Sequence, residues 1–360
     1  MVQPGKQRAG RLRAHAGQLT GLVLVAGVFG FVLPRVADYG AVWHVISGLS
    51  PVYVALLAGV AIVNLLTFAP PWMAALPRLS FLRALVMAQA STAAANVLPG
   101  GDAIGMAVSY SMLRRWGYRV EQVAIATGAF SVWNVIANVG FAVVGVGLLA
   151  LGGESNPLLT TAALIGAGVS LVLGVAIVLV LRDERYAIPI GALVERASNR
   201  VLRLLRRPAV AGWSDRLIAF REEAIGLVRR RWLALTLATL AGHLTVFLVL
   251  LVSMRAVGVS AADVSFGEAF AAWALIRIIT TIPVTPGGLG VVELGLTGAL
   301  VSFGGNRVDV VASVLLYRAL TYVPPIAFSG VCLLIWRRIG GKGAIEQAQS
   351  PPEPQPSSRR

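Results

Sequence analysis

The chain has 360 residues, 57% of them hydrophobic and 13% charged, with a mean hydropathy of +0.77. That composition excludes soluble domains and places the chain among polytopic membrane proteins. The formal charge of +15 would suggest nucleic acid in a soluble protein, but here the basic residues stand in loops beside apolar runs, the pattern of membrane orientation.

A basic N-terminus, 1–18, with Lys6, Arg8, Arg11 and Arg13 precedes the first apolar run, 19–36. The length of that run and its missing small-residue cleavage site predict an uncleaved span with a cytoplasmic N-terminus. Further runs at 51–69, 123–151, 158–181, 232–253 and 310–336 have, or nearly have, the length needed to cross a hydrocarbon core of about 30 Å. Two other apolar stretches are broken at their centres, one by Leu98-Pro99-Gly100-Gly101 and one by Thr285-Pro286-Gly287-Gly288. Proline removes a backbone donor and glycine exposes backbone, so neither break is tolerated facing lipid. Broken segments at corresponding places in two halves point to a transporter's substrate site.

Flanking charge indicates how the broken segments sit. Arg78 and Arg83 precede the first break, and Arg114, Arg115 and Arg119 follow it, as a hairpin entering from the cytoplasm requires. The segment 182–231 carries twelve Arg against six acidic residues, a net of +6, and is expected in the cytoplasm against the anionic leaflet. Within it Leu193, Ala197, Val201 and Leu204 follow helical spacing and predict an amphipathic surface helix. For Arg337 and Arg338 to end in the cytoplasm, the second break must also be a hairpin, opening outward, with Asp263 and Glu268 before it.

The expected fold is therefore an all-α polytopic membrane protein of about six spanning helices plus two Pro-Gly-Gly re-entrant hairpins, eight apolar segments in an inverted repeat. The membrane domain covers 19–338, with halves 19–181 and 232–338 joined by the basic loop. The tail 339–360, rich in Pro, Ser and Gln, reads as disordered and cytoplasmic. Pro99-Gly100-Gly101 matches Pro286-Gly287-Gly288, and Gly117 to Ala124 matches Gly305 to Ala312, at nearly equal offsets that support duplication.

Charged groups at membrane depth are expensive and need an explanation. Around the second break stand Arg277, Glu293 and Arg318, with Glu268 and Trp273 nearer its mouth. Arg277 and Glu293 flank the turn on its two arms, placed either as a buried ion pair or for phosphate binding by Arg277 and Arg318 with Glu293 orienting them. An arm starting after Gly290 would also aim a helix N-terminus at an anion. Around the first break the candidates are Gln89, Asn96, Asp102, Ser109 and Tyr110, with Asn134 and Asn138 one turn apart on the next span. Asp102 suits a helix N-cap as well as proton coupling, and the asparagines suit either a headgroup path or interhelical hydrogen bonds. His243 within a span reads as a helix–helix partner. The single Cys332 excludes an intrachain disulfide, and no metal, cofactor or catalytic motif is present.

The run from Arg277 through Pro286-Gly287-Gly288 to Glu293, followed by Leu315-Leu316-Tyr317-Arg318 and Tyr322-Val323-Pro324, resembles the signature of the lysylphosphatidylglycerol synthase transmembrane-region family, a flippase-like domain. The resemblance spans roughly Leu19 to Arg338, with its specific residues in the last third. Asn96 to Asp102 resembles the family's Pro-Gly turn followed by Gly-Glu, with Asp102 in place of Glu and no Arg shortly after. The resemblance implies transport of a lipid across the cytoplasmic membrane, in some relatives an aminoacylated phosphatidylglycerol. A branch linked to lipid-linked glycan assembly adds polyprenyl-phosphate lipids as a substrate class. Larger relatives carry a soluble aminoacyltransferase; this sequence ends at Arg360 without one, so lysyl transfer is not carried over. Arg-rich, Lys-poor basic residues, with Lys6 and Lys342 the only lysines, point to a GC-rich bacterial genome. The expectation is a bacterial inner-membrane flippase with cytoplasmic termini. Its substrate-binding set is Arg277, Glu293, Arg318, Pro286, Gly287, Gly288, Asp102, Asn96, Asn134 and Tyr317, with an anionic phospholipid or polyprenyl-phosphate lipid as ligand. The alternatives are an integral-membrane enzyme using Asp102 or Glu293 as base, or a partner of a separate transferase docked through the basic loop.

Overall fold

Helix starts in this chain are written into its loops. After α1 (Tyr39–Ser47), Ser50 accepts a hydrogen bond from the Tyr53 N–H at 3.4 Å and Pro51 takes the first helical position, where its missing donor is harmless. α2 (Pro51–Thr67) then runs almost directly into α3 (Ala69–Ala75), and the two form one apolar span of 25 residues. α4 (Phe81–Val97) and α5 (Gly101–Arg115) flank the first Pro-Gly-Gly, and α6 (Val120–Leu151) follows. α7 (Trp213–Ala256) precedes α8 (Phe266–Ile279), a 3-10 turn at Pro286–Gly288, α9 (Val291–Ser302) and α10 (Arg307–Gln349).

This computed structural model describes residues 39–76, 78–97, 101–152, 213–280 and 285–349, with isolated helical positions between 161 and 200. Outside the described residues lie the N-terminal segment, the span expected at 19–36, most of that at 158–181, and Leu193, Ala197, Val201 and Leu204 of the expected amphipathic stretch. Two expected boundaries move. α7 is continuous from Trp213, so the end of the basic loop is already helix, and α10 continues to Gln349, past the expected end of structure at Gly340. The helix formers Ala344, Glu346, Gln347 and Ala348 carry it on.

Four helices among the described residues are long and apolar enough to cross a membrane: Pro51–Ala75, Val120–Leu151, Arg229–Ala256 and Arg307–Ser329. No more than 39% of the apolar window of any of them is buried inside the protein. Their outer faces carry exposed Val52, Ile62, Val144, Leu237 and Leu248, surface that only lipid solvates without penalty. The chain is a membrane-embedded, multi-helix protein.

In each broken segment the two helices pack against each other. A Cβ on Gly105 of α5 would lie 2.7 Å from the Ser91 carbonyl oxygen of α4, so only glycine permits this approach. α4 and α5, with α3, build one core around Trp72, Met87, Met112 and Leu113. A second core gathers Phe247, Phe270, Trp273, Leu296 and Phe141 from α6 to α9, its rings meeting mostly edge-on at centroid distances of 5.0 to 5.9 Å. Polar side chains join helices across the interior: Asn64 Nδ2 donates to Thr245 Oγ1 at 3.0 Å, Gln89 Nε2 to the Leu65 carbonyl at 2.9 Å, and Trp133 Nε1 to Thr236 Oγ1 at 2.9 Å. Such bonds contribute about 0.6 kcal/mol each on average in membranes. α10 packs against α4, α7 and α9 and so lies between the two broken pairs.

Candidate functional site

The second break sets the geometry. Gly287 has a left-handed φ of 57°, and a Cβ there would come within 2.5 Å of the Tyr322 ring. Only glycine meets both conditions. α9 starts directly after Gly290, and Glu293 in its first turn folds back so that Oε2 accepts the Gly290 N–H at 2.6 Å. The expected anion position at this helix N-terminus is therefore filled by the protein's own carboxylate. Glu268 plays the same part at the start of α8, accepting the Ser265 N–H at 2.7 Å.

The partner of Glu293 is Arg318, not Arg277. Arg318 Nε donates to Glu293 Oε1 at 2.7 Å, and Nη2 to the Gly287 carbonyl at 2.8 Å. Arg277, on the other arm, donates through Nε to Asn138 Oδ1 of α6 at 3.1 Å. Each guanidinium also packs on a ring four residues away on its own helix, Arg277 on Trp273 at 5.5 Å and Arg318 on Tyr322 at 4.9 Å. Orientation differs because Glu293 is held back on its own turn, within reach of α10, while α8 turns Arg277 toward α6.

Both arginines line one chamber of about 330 Å³, with Tyr317, Thr285, Gly287, Gly288 and Asn96. Asn96 belongs to the first break, and its carbonyl accepts the Tyr322 hydroxyl at 2.5 Å. The first break is thus part of the same site, not a remote counterpart. Among the described residues, two guanidinium groups and the Glu293 carboxylate meet here, and a guanidinium fork matches phosphate oxygens. Thr285 Oγ1, buried and without a hydrogen-bond partner among the described residues, adds a hydroxyl.

The remaining predicted residues divide. Tyr317 is buried in the chamber wall, and Gly287 and Gly288 form its turn with Pro286. Asp102 is the second residue of α5. Asn134 lines a neighbouring cavity and donates to its own helix, to the Phe130 carbonyl at 2.7 Å. His243 Nε2 has no hydrogen-bond partner among the described residues, and its ring meets Phe141 edge-on at 5.6 Å. Sequence reasoning did not place Tyr322 or Thr285 in the site, although the spacing of Tyr322 four residues after Arg318 puts both on one helix face.

Lipid-facing spans around a chamber lined by two arginines define a polytopic membrane protein. The family described as "Lysylphosphatidylglycerol synthase TM region" matches residues 18–329, and the chain belongs to it. No curated protein matches the chain.

Proposed function

We propose that the protein moves an anionic lipid, a phospholipid or a polyprenyl-phosphate-linked lipid, across the bacterial inner membrane, with the phosphate held between Arg277 and Arg318. The observation that carries this reading is the convergence of both guanidinium groups, from different helices, on one chamber walled by the two broken segments. Glu293 holds the Arg318 fork in place through Nε and leaves Nη1 without a bond to any described residue. Thr285 supplies a further donor for phosphate oxygen.

In this reading the broken pairs are re-entrant hairpins that reach the chamber from opposite faces, as halves of an inverted repeat, and they open in turn while the alkyl chains stay in lipid. Helix length supports it: α8 has 14 residues and α9 has 12, about 21 and 18 Å at 1.5 Å per residue, too short to cross a core of about 30 Å. Both termini and the 182–231 loop lie in the cytoplasm, where the loop meets the anionic leaflet.

Reconstitution into liposomes with fluorescent phosphatidylglycerol and fluorescent polyprenyl phosphate tests the proposal, with leaflet exchange followed by chemical quenching of the outer leaflet. Replacing both Arg277 and Arg318 by Ala is expected to slow exchange at least ten-fold, since a hydrogen bond to a charged group contributes about 1.5 to 3 kcal/mol. Arg318→Lys restores little, because a compact ammonium lacks the planar fork that reaches Glu293 and the Gly287 carbonyl while presenting a further N–H to a phosphate. Equal exchange by the wild type and the double variant would overturn the assignment.

A further inference from the structure

Beside the chamber, and sharing Arg277 with it, lies a second cavity of about 160 Å³ between α6 and α7. Thr67, Asn134, Thr239 and His243 supply its other polar side chains, the Thr67 hydroxyl already bonded to the Asn64 carbonyl at 2.7 Å, and Phe68 and Val246 form part of its apolar wall. Thr239 and His243 are one helical turn apart and are 4% and 7% exposed. Thr239 Oγ1 and His243 Nε2 have no hydrogen-bond partner among the described residues. Buried polar atoms are nearly always satisfied, so two orphans in one cavity call for a missing partner. Asn134 commits its Nδ2 to Phe130 and keeps Oδ1 as an acceptor.

The lining selects the chemistry of that partner. Among the described residues around the cavity there is no Asp or Glu, while Arg277 is present, so an ammonium group meets like charge and no counter-ion. A hydroxyl or a carbonyl oxygen, uncharged, can exchange hydrogen bonds with the threonine hydroxyl and the imidazole. Thr239 also lines a groove of about 270 Å³ between the same helices, walled by Ile136, Ala137, Val144 and Leu240. The arginine chamber, the His243–Thr239 cavity that shares Arg277 with it and the apolar groove that shares Thr239 thus follow one another in the order of phosphate, neighbouring oxygens and alkyl chain along a lipid.

We infer that the His243–Thr239 cavity is a specificity subsite for the uncharged oxygen groups next to a lipid's phosphate, with the alkyl chain in the α6–α7 groove. The inference rests on the headgroup reading above and selects among the lipids that reading admits. A lipid whose phosphate is followed directly by hydrocarbon leaves Thr239 and His243 unpaired.

Binding of three lipids to the full-length protein in a non-ionic detergent tests it. Diacyl phosphatidic acid offers ester carbonyls without a headgroup hydroxyl, dialkyl-ether phosphatidylglycerol offers hydroxyls without ester carbonyls, and polyprenyl monophosphate offers neither. One or both of the first two are expected to bind at least ten-fold more tightly than the third, and the one that does identifies the source of the oxygen. Thr239→Val, nearly isosteric, should reduce that ratio below three-fold, as should His243→Phe. Equal affinity for all three lipids that still falls in Arg318→Ala overturns the subsite alone, as does a preference that Thr239→Val leaves intact. Affinities indifferent to Arg318→Ala overturn the headgroup reading and the subsite with it.

Discussion

Glu293 commits one carboxylate oxygen to its own helix start and the other to a helix 25 residues further along the chain. It is 1% exposed, so either bond left unmade strands a charged or polar group in low dielectric. A glutamine has one acceptor where two are needed, and its amide N–H₂ confronts the Arg318 donor. Glu293→Gln is therefore expected to lower the thermal unfolding midpoint in detergent. In a double-mutant cycle with Arg318→Ala, the coupling should be about 1 to 3 kcal/mol, and additive effects would show that the pair is not the link. The residue types of this site were legible in the sequence because charges at membrane depth are rare. Their pairing was not. Arg277 and Glu293 flank the same turn, but which face of α8 carries Arg277 depends on packing against α6, where Asn138 takes its Nε.

Pro-Gly-Gly between apolar arms predicts helix, break, helix twice over, and both pairs form: α4 with α5, and α8 with α9. The spacing could not show that the breaks meet. Their link is Tyr322, which covers Gly287, stacks with Arg318 and donates to the Asn96 carbonyl, a contact between residues 226 apart. Such a contact follows from α10 lying against α4, and no local pattern encodes it. Pro324 and Pro325 contribute to this region as well, since neither can donate to the carbonyls of Leu320 and Thr321 one turn earlier. Gly287→Ala should destabilise the protein through two separable effects, a left-handed backbone that costs a non-glycine residue about 1 to 2 kcal/mol and a collision with the Tyr322 ring. Adding Tyr322→Ala relieves the second effect only, so the double variant should lie above the sum of the two single variants in unfolding midpoint. A Gly287→Ala variant as stable as wild type would contradict this account of the turn.

At the scale of the whole molecule, the arms of the second broken pair are too short to span while their neighbours are long enough, and this contrast makes a prediction about sidedness. A hairpin returns to the side it left; a broken crossing helix does not. In a Cys332→Ser background, single cysteines at the exposed positions Ser80 and Arg115 bracket the first pair, and cysteines at the exposed Ala261 and Ser302 bracket the second. With a membrane-impermeant maleimide on intact cells, Ala261→Cys and Ser302→Cys should both be labelled, whereas Ser80→Cys and Arg115→Cys should react only after permeabilisation. The charge pattern sets the expectation for each side, since Arg78, Arg83, Arg114 and Arg119 surround the first pair and the +6 segment at 182–231 must share their compartment. Members of one pair labelled from opposite sides would turn that break into a kinked crossing helix. The two halves would then not be inverted, and the chamber between Arg277 and Arg318 would need a different route of access from alternation between faces. Concordant labelling within each pair, and opposite labelling between pairs, is the outcome that places the two breaks as tips of hairpins reaching one site from both sides.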